Sequence, residues 1–195
     1  MKYDPQKHHR RSIRLKGYDY TQPGAYFVTI CTWQRACSFG EVVQGEMRLN
    51  KQGQIANREW MRLERRFSTA DFSAFVVMPN HMHGIVVMHA DGRGAGENHP
   101  DHGGGRHPLR PYEGPRVIPG SLAAIVRAYK ASVTWRIHAM RGDEGSPVWQ
   151  RNYYEHIVRD DEEYRRIIEY IQTNPLRWEA DQLHPAAAPN RFNQE

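Results

Sequence analysis

The stretch Val76-Val77-Met78-Pro79-Asn80-His81-Met82-His83-Gly84-Ile85-Val86-Val87-Met88 places two apolar runs, rich in β-branched residues, on either side of a Pro-Asn pair. This pattern predicts two adjacent strands, at 72–78 and 81–88, joined by a turn. Side chains alternate along a strand, so His81 and His83 would lie on one face, roughly 6 to 7 Å apart. Two imidazoles placed in this way could share one metal ion, and a pair of satisfied core histidines is the competing interpretation.

The composition is that of a basic protein of one domain. The 195 residues carry a formal net charge of +5, and such a surplus attracts phosphate backbones or anionic membrane surfaces. No apolar run approaches the ~20 residues of a spanning helix, and no apolar region follows the charged N-terminus. We therefore expect a cytoplasmic, nucleoid-associated protein that has nucleic acid and not a membrane as its partner. Cys31 and Cys37 lack a zinc-binding spacing, and reduced thiols are expected.

The order of strand and helix patterns predicts an α+β domain. Strand patterns occupy 25–33, 72–78, 81–88 and 148–158, and helical patterns occupy 50–67, 121–140 and 163–173. A basic arm at 1–20 precedes a single domain at 21–180, and a tail at 181–195 follows it. A Gly- and His-rich insertion at 89–118 interrupts the domain. We expect this insertion to be flexible, because it cannot bury enough apolar area to offset its ordering entropy.

Positive charge is concentrated in the N-terminal arm and in the helix predicted at 121–140. That helix carries no acidic residue. Cations held in place on a helix suit a phosphate backbone better than those of a mobile arm, and a solvated basic face is the competing interpretation. The predicted DNA-binding residues are Arg14, Lys16, Arg127, Lys130, Arg136 and Arg151.

The last predicted helix carries a tyrosine outside its core stripe. The stripe would consist of Tyr164, Ile167, Ile168 and Ile171. Tyr170 lies roughly 110° from the centre of that stripe on a helical wheel. Asn174 follows four residues later, so its amide and the Tyr170 hydroxyl would project from neighbouring positions if the last turn persists.

Two histidines, an amide and a tyrosine suit phosphoryl chemistry. A divalent metal held by His81, His83 and an amide oxygen such as that of Asn174 would act as a Lewis acid on a phosphate. The Tyr170 hydroxyl could then attack phosphorus and become covalently linked to DNA. Simple hydrolysis would not require the tyrosine, and no acidic residue stands beside the histidine pair in the sequence.

Three motifs occur in order along the chain. They are Pro79-Asn80-His81-Met82-His83-Gly84, then Trp149-Gln150-Arg151-Asn152-Tyr153-Tyr154-Glu155-His156-Ile157, then Glu163-Tyr164-x-x-Ile167-Ile168-x-Tyr170-Ile171-x-x-Asn174-Pro175. This set closely resembles the REP-associated tyrosine transposases, which belong to the single-tyrosine HUH transposase superfamily. The resemblance covers about residues 10–178 without the insertion.

The resemblance implies a ferredoxin-like α+β fold, with an antiparallel sheet and helices packed on one face. It implies a transposase-like enzyme that cleaves and rejoins single-stranded DNA at hairpin or palindromic repeat sites through a 5′-phosphotyrosine, with Mg²⁺ or Mn²⁺ as the ion. His81 and His83 match the metal-binding pair and Tyr170 the nucleophile. Asn174 matches the polar third-ligand position, where relatives often have glutamine. Family members act as monomers or dimers, so a homodimer stays open.

Other functions stay open at this point. A protein of the same fold could bind palindromic DNA repeats with weak or no cleavage. A replication initiator or a relaxase would use the same site. Histidine-triad nucleotide hydrolases are disfavoured, because Ile85 stands where their third alternating histidine would be.

Overall fold

A computed structural model describes residues 22–90, 118–143 and 145–188. The predicted basic arm, with Arg14 and Lys16, lies outside the described residues. Residues 91–117 of the predicted insertion and 189–195 of the predicted tail lie outside them as well.

The described residues contain strands, α-helices and two short 3₁₀ segments. The strands are β1 (Gly24–Cys31), β2 (Gly40–Val43), β3 (Glu46–Leu49), β4 (Ala70–Val77), β5 (His81–Met88) and β6 (Tyr154–Val158). The α-helices are α1 (Lys51–Met61), α2 (Leu122–Arg141) and α3 (Asp161–Thr173). The 3₁₀ segments are Trp33–Arg35 and Pro175–Ala180.

Four strands form one antiparallel sheet in the order β4-β5-β1-β6, and β2 and β3 form a separate hairpin. Without that hairpin the chain runs β-α-β-β-α-β, which is the ferredoxin-like order, and α3 follows. The predicted α+β class and antiparallel sheet are confirmed. None of the described helices is long and apolar enough to cross a membrane.

The helices cover both faces of the sheet, which corrects our expectation that they pack on one face. On one face Tyr26, Val28 and Ile30 of β1 pack in a core with α1 and α2. On the other face Phe27 packs with Ile85 and with Ile171 of α3. The physical reason is that β1 and β5 are apolar on both faces, so a second layer is needed to keep water from the second face.

Local signals fix where the helices begin. The side chains of Asn50, Ser121 and Asp160 accept backbone N–H groups at the starts of α1, α2 and α3. The predicted helix at 50–67 ends earlier, at Met61. The last helix ends before Pro175 as predicted. Asn174 keeps helical φ and ψ angles of −56° and −43°, so the helix ends because Pro175 has no N–H to donate the next helical hydrogen bond.

Gly84 of β5 is required by close packing against α1. A Cβ added at Gly84 would lie 2.4 Å from the Trp60 ring. Trp60 cannot withdraw easily, since its ring also packs against Phe72, Phe75 and Tyr129 at centroid distances of 5.3 to 5.9 Å. Gly84 therefore allows β5 to lie directly beneath α1.

We expect Gly84→Ala to lower the free energy of unfolding by about 1 to 3 kcal/mol through overpacking against Trp60. Urea unfolding measures this change. Gly145→Ala is the matched control, because a Cβ there would have no neighbour within 4 Å. Equal stability of the two variants would contradict the packing argument.

Candidate active site

The two histidines lie in the middle of the sheet and face α3. His81 pairs with Cys31 of β1, and His83 pairs with Thr29 of β1 and Val76 of β4. The alternation along β5 turns both imidazoles toward the Phe27 face, while Met82 packs in the core on the α1–α2 side. The side chains are 0% and 3% exposed. The predicted same-face arrangement of the pair is therefore present, in a buried position.

Hydrogen bonds orient both rings. Nδ1 of His81 donates to Oδ1 of Asn80 at 2.8 Å, and the Asn80 amide nitrogen in turn donates to the Leu183 carbonyl at 2.7 Å. Nδ1 of His83 lies 2.8 Å from the Thr29 hydroxyl. The remaining ring nitrogens, the two Nε2 atoms, then face each other at 3.1 Å. Metal-binding histidines are commonly oriented by such hydrogen bonds to their second ring nitrogen.

Burial keeps the histidines neutral. It lowers the pKa of His81 to about 3. Burial, and next the neighbouring His81, hold the pKa of His83 well below its usual range, although Asp181 acts in the opposite direction. Imidazole binds metals in its neutral form, so both side chains are in the required protonation state at neutral pH.

Asp181 joins the histidine pair, although no sequence pattern predicted it there. The ligand atoms of His81, His83 and Asp181 all lie within 4.8 Å of one another. One carboxylate oxygen accepts the Leu183 N–H at 2.6 Å. We assigned 181–195 to a tail, but Asp181 and Leu183 are buried against the domain. No local pattern marks this aspartate, because the 3₁₀ segment and the packing of Trp178 near His81 bring it to the site.

Asn174, predicted as the third metal ligand, lies beside this cluster. It is 1% exposed, and its amide nitrogen donates to the Asp181 carboxylate at 3.2 Å. Its Oδ1 is buried without a hydrogen-bond partner in the described part of the chain. Two imidazoles, a carboxylate and a free amide oxygen form a donor set that suits a divalent cation. The residues present therefore fit a metal ion.

Tyr170 reaches the histidine pair from α3. Its hydroxyl lies 3.2 Å from Nε2 of His83, and its ring packs edge-on against Phe27 at 6.1 Å. The side chain is 36% exposed, so it also faces solvent. Burial and, next, Asp181 raise the pKa of Tyr170 to about 12, against hydrogen bonding by Asn174 and the charge of Arg177. The hydroxyl is therefore protonated at neutral pH.

A cavity of about 300 Å³ opens beside Tyr170 and His83. Aromatic rings and side-chain amides form much of its wall. The lining residues beyond the site itself include Phe27, Cys31, Gln150, Asn152, Tyr153, Tyr154 and Gln182. Cys31 and Cys37 are free thiols, and burial raises the pKa of Cys31 to about 11. Cys31 is therefore an uncharged wall of the cavity at neutral pH.

The predicted DNA-binding cations are divided among different environments. Lys130 donates to the backbone carbonyls of Gln150 and Asn152, and burial lowers its pKa to about 8. Lys130 thus links α2 to the segment that precedes β6.

The predicted DNA-binding arginines that the structure describes have other surroundings than Lys130. Arg136 forms a 2.6 Å ion pair with the buried Glu59. Arg127 and Arg151 are exposed. The arginines of α2 lie on the layer that covers the sheet face opposite the histidine pair. The structure does not bring them together with Tyr170.

A relative in sequence and neighbours among solved structures are similar to this chain. No protein-family model matches it. An uncharacterized protein of Haemophilus influenzae (strain ATCC 51907 / DSM 11121 / KW20 / Rd) is 44% identical over 185 residues, which cover 94% of this chain and 97% of that protein. This identity and coverage place the two proteins in one family.

Among solved structures, a REP-associated tyrosine transposase bound to a REP hairpin aligns with a TM-score of 0.53 and 18% identity, and the alignment covers 94% of each chain. A structure described as a candidate transposase of Deinococcus radiodurans R1 aligns with a TM-score of 0.43 and 14% identity, over 83% of this chain and 96% of that one. At this identity the first likeness establishes the fold alone. The chain therefore belongs to the same family as the Haemophilus influenzae protein and has the fold of a REP-associated tyrosine transposase.

Proposed function

We propose that this protein is a tyrosine-dependent HUH DNA endonuclease and strand transferase that acts on single-stranded or hairpin DNA with the help of a divalent metal. The observation that carries the proposal is the meeting of Tyr170 with the histidine pair. Its hydroxyl is 3.2 Å from Nε2 of His83, which is 3.1 Å from Nε2 of His81. A structural histidine pair would not need a partly exposed tyrosine from another element.

His81, His83 and Asp181 would hold the ion, with the free amide oxygen of Asn174 as a further donor. When bound, Mg²⁺ or Mn²⁺ would supply Lewis acidity toward a phosphate oxygen. The carboxylate suits these hard cations better than histidines alone would. Asn174 also orients the Asp181 carboxylate through its 3.2 Å hydrogen bond, so it contributes to the site even without binding the ion.

The protein's own nucleophile would be the Tyr170 oxygen. It forms a bond to phosphorus while the bond from phosphorus to the 3′ oxygen breaks, so the tyrosine loses a proton and the leaving 3′ oxygen gains one. The product is a 5′-phosphotyrosine and a free 3′-hydroxyl. Attack by a 3′-hydroxyl on the phosphotyrosine reverses these changes and rejoins the DNA. Arg177 and Asn174 favour the deprotonated oxygen, since both lower the pKa of Tyr170.

The cavity beside Tyr170 supports a nucleic acid substrate. Its aromatic and amide side chains suit an unpaired base, which offers a ring face and hydrogen-bonding edges. The structural neighbour is bound to a REP hairpin, which supports hairpin or palindromic DNA as the substrate class. Such a substrate would place the protein at the nucleoid. All groups of the site come from one chain, so the proposal does not require a homodimer.

We expect Tyr170→Phe to abolish a covalent protein–oligonucleotide adduct, because phenylalanine has no oxygen to attack phosphorus. The adduct is detected on a denaturing gel with a palindromic hairpin that carries a single-stranded extension. Tyr164→Phe is the matched control on the same helix, since the Tyr164 hydroxyl donates to Ser73 at 2.8 Å. An adduct that persists in Tyr170→Phe would remove Tyr170 as the nucleophile.

Removal of Asp181 as a ligand should weaken metal binding. We expect Asp181→Asn to reduce the affinity for Mn²⁺ by about tenfold or more, measured as free Mn²⁺ by electron paramagnetic resonance. Glu169→Gln, which neutralises an exposed carboxylate next to Tyr170, should bind as the wild type does. An unchanged affinity in Asp181→Asn would leave Asn174 as the candidate third ligand.

Chelation of the metal distinguishes an enzyme from a non-catalytic binding protein of the same fold. We expect EDTA to abolish adduct formation and Mn²⁺ to restore it, while hairpin binding measured by gel shift persists throughout. The reason is that affinity for nucleic acid comes mainly from phosphate contacts, whereas bond cleavage needs the Lewis acid. Hairpin binding without any adduct, in either Mg²⁺ or Mn²⁺, would favour a non-catalytic binder of palindromic repeats.

A further inference from the structure

Positive charge lies on the side of the protein away from the proposed active site. Residues 51–66 and α2 together contain nine Lys and Arg residues and two Glu residues, whereas the whole chain has a net charge of only +5. One of the two acids, Glu59, is buried and paired with Arg62 and Arg136. The rest of the chain therefore has a small acidic excess, and α3 carries more acidic than basic residues. Among the described residues, the α1–α2 layer is therefore a surface that attracts a polyanion.

Trp135 stands in the middle of this basic layer. Its side chain is 67% exposed, and the guanidinium of Arg136 lies 5.6 Å from the centre of its ring. Two surface grooves meet at this tryptophan. One runs between α1 and α2 past Arg58 and Arg62, and the other runs between α2 and the segment 147–151. A large exposed aromatic ring among arginines is the arrangement that stacks an unpaired base and holds its phosphates.

The second groove leads toward the proposed active site. It is lined by Trp135, Arg151 and Gln150, and Gln150 also lines the cavity beside Tyr170. Lys130 fixes this passage, because it donates to the backbone carbonyls of Gln150 and Asn152. The two openings therefore share a wall that is held in place by the partly buried Lys130.

We propose that single-stranded DNA continues from the proposed cleavage site past Gln150 and Arg151 and stacks an unpaired base on Trp135. This proposal rests on the proposed function, which supplies the DNA at Tyr170. The positive charge of this surface favours the phosphates of a nucleic acid over an apolar protein partner. The exposed ring selects a single strand over a duplex, whose bases are already stacked on each other. The surface would hold the strand, and Tyr170 would cut it.

The experiment measures the affinity for a fluorescent oligothymidylate of about 20 nucleotides by anisotropy, in EDTA, over a range of salt concentrations. Trp135→Ala should weaken binding about tenfold with an unchanged salt dependence, because stacking releases no counterions. Trp135→Phe should restore most of the affinity. Arg151→Ala should reduce the slope of log affinity against log salt by about 0.7, as expected for one lost phosphate contact on a single strand.

Met140→Ala is the matched control, since it removes another exposed apolar side chain from the same helix. It should bind oligothymidylate as the wild type does. Equal affinities of Trp135→Ala and wild type would overturn the proposal, as would a loss of self-association in Trp135→Ala without a loss of DNA affinity. Because the titration contains no metal, it reports on this surface whether or not the wild type forms an adduct. Failure of the proposed function would instead appear as a missing adduct in the wild type.

Discussion

The alternation of side chains along β5 is the constraint on which the rest of the structure depends. It sends His81 and His83 to the face covered by α3, and Met82 and Gly84 to the face covered by α1 and α2. A shift of one residue in register would exchange these faces. Antiparallel pairing with β1 and β4 on either side prevents such a shift. The packing of Trp60 on Gly84 and the hydrogen bond of Thr29 to His83 then fix the same register from opposite sides.

Much of this arrangement could be predicted from the sequence, because it depends on local periodicity. The period of two placed both histidines on one face, and the helical wheel separated Tyr170 from the core stripe of α3. The contact between Tyr170 and His83 could be predicted only through the resemblance to a known family. Asp181 could not be predicted, since only the path of the chain after α3 brings it to the histidines. The role of Lys130 was also hidden, because its partners are backbone carbonyls, which no side-chain pattern reveals.

The two faces of the sheet differ in the chemistry of their side chains. The α3 face holds buried neutral imidazoles, a carboxylate and a tyrosine, a set that can bind a metal but that has little positive charge of its own. Among the described residues, the α1–α2 face holds most of the excess cations. In our account the second face attracts and holds DNA, and the first performs the transfer. The segment around Gln150, which lines openings on both sides, is the link between them.

The central claim is that Tyr170 alone among the tyrosines of the site forms a covalent bond to DNA. Tyr153 and Tyr154 also line the cavity, so they are the natural competitors. Mass spectrometry of the proteolysed adduct, formed with a hairpin oligonucleotide in Mn²⁺, identifies the modified residue directly. We expect a nucleotide phosphate attached to Tyr170. Attachment to Tyr153 or Tyr154 would contradict it.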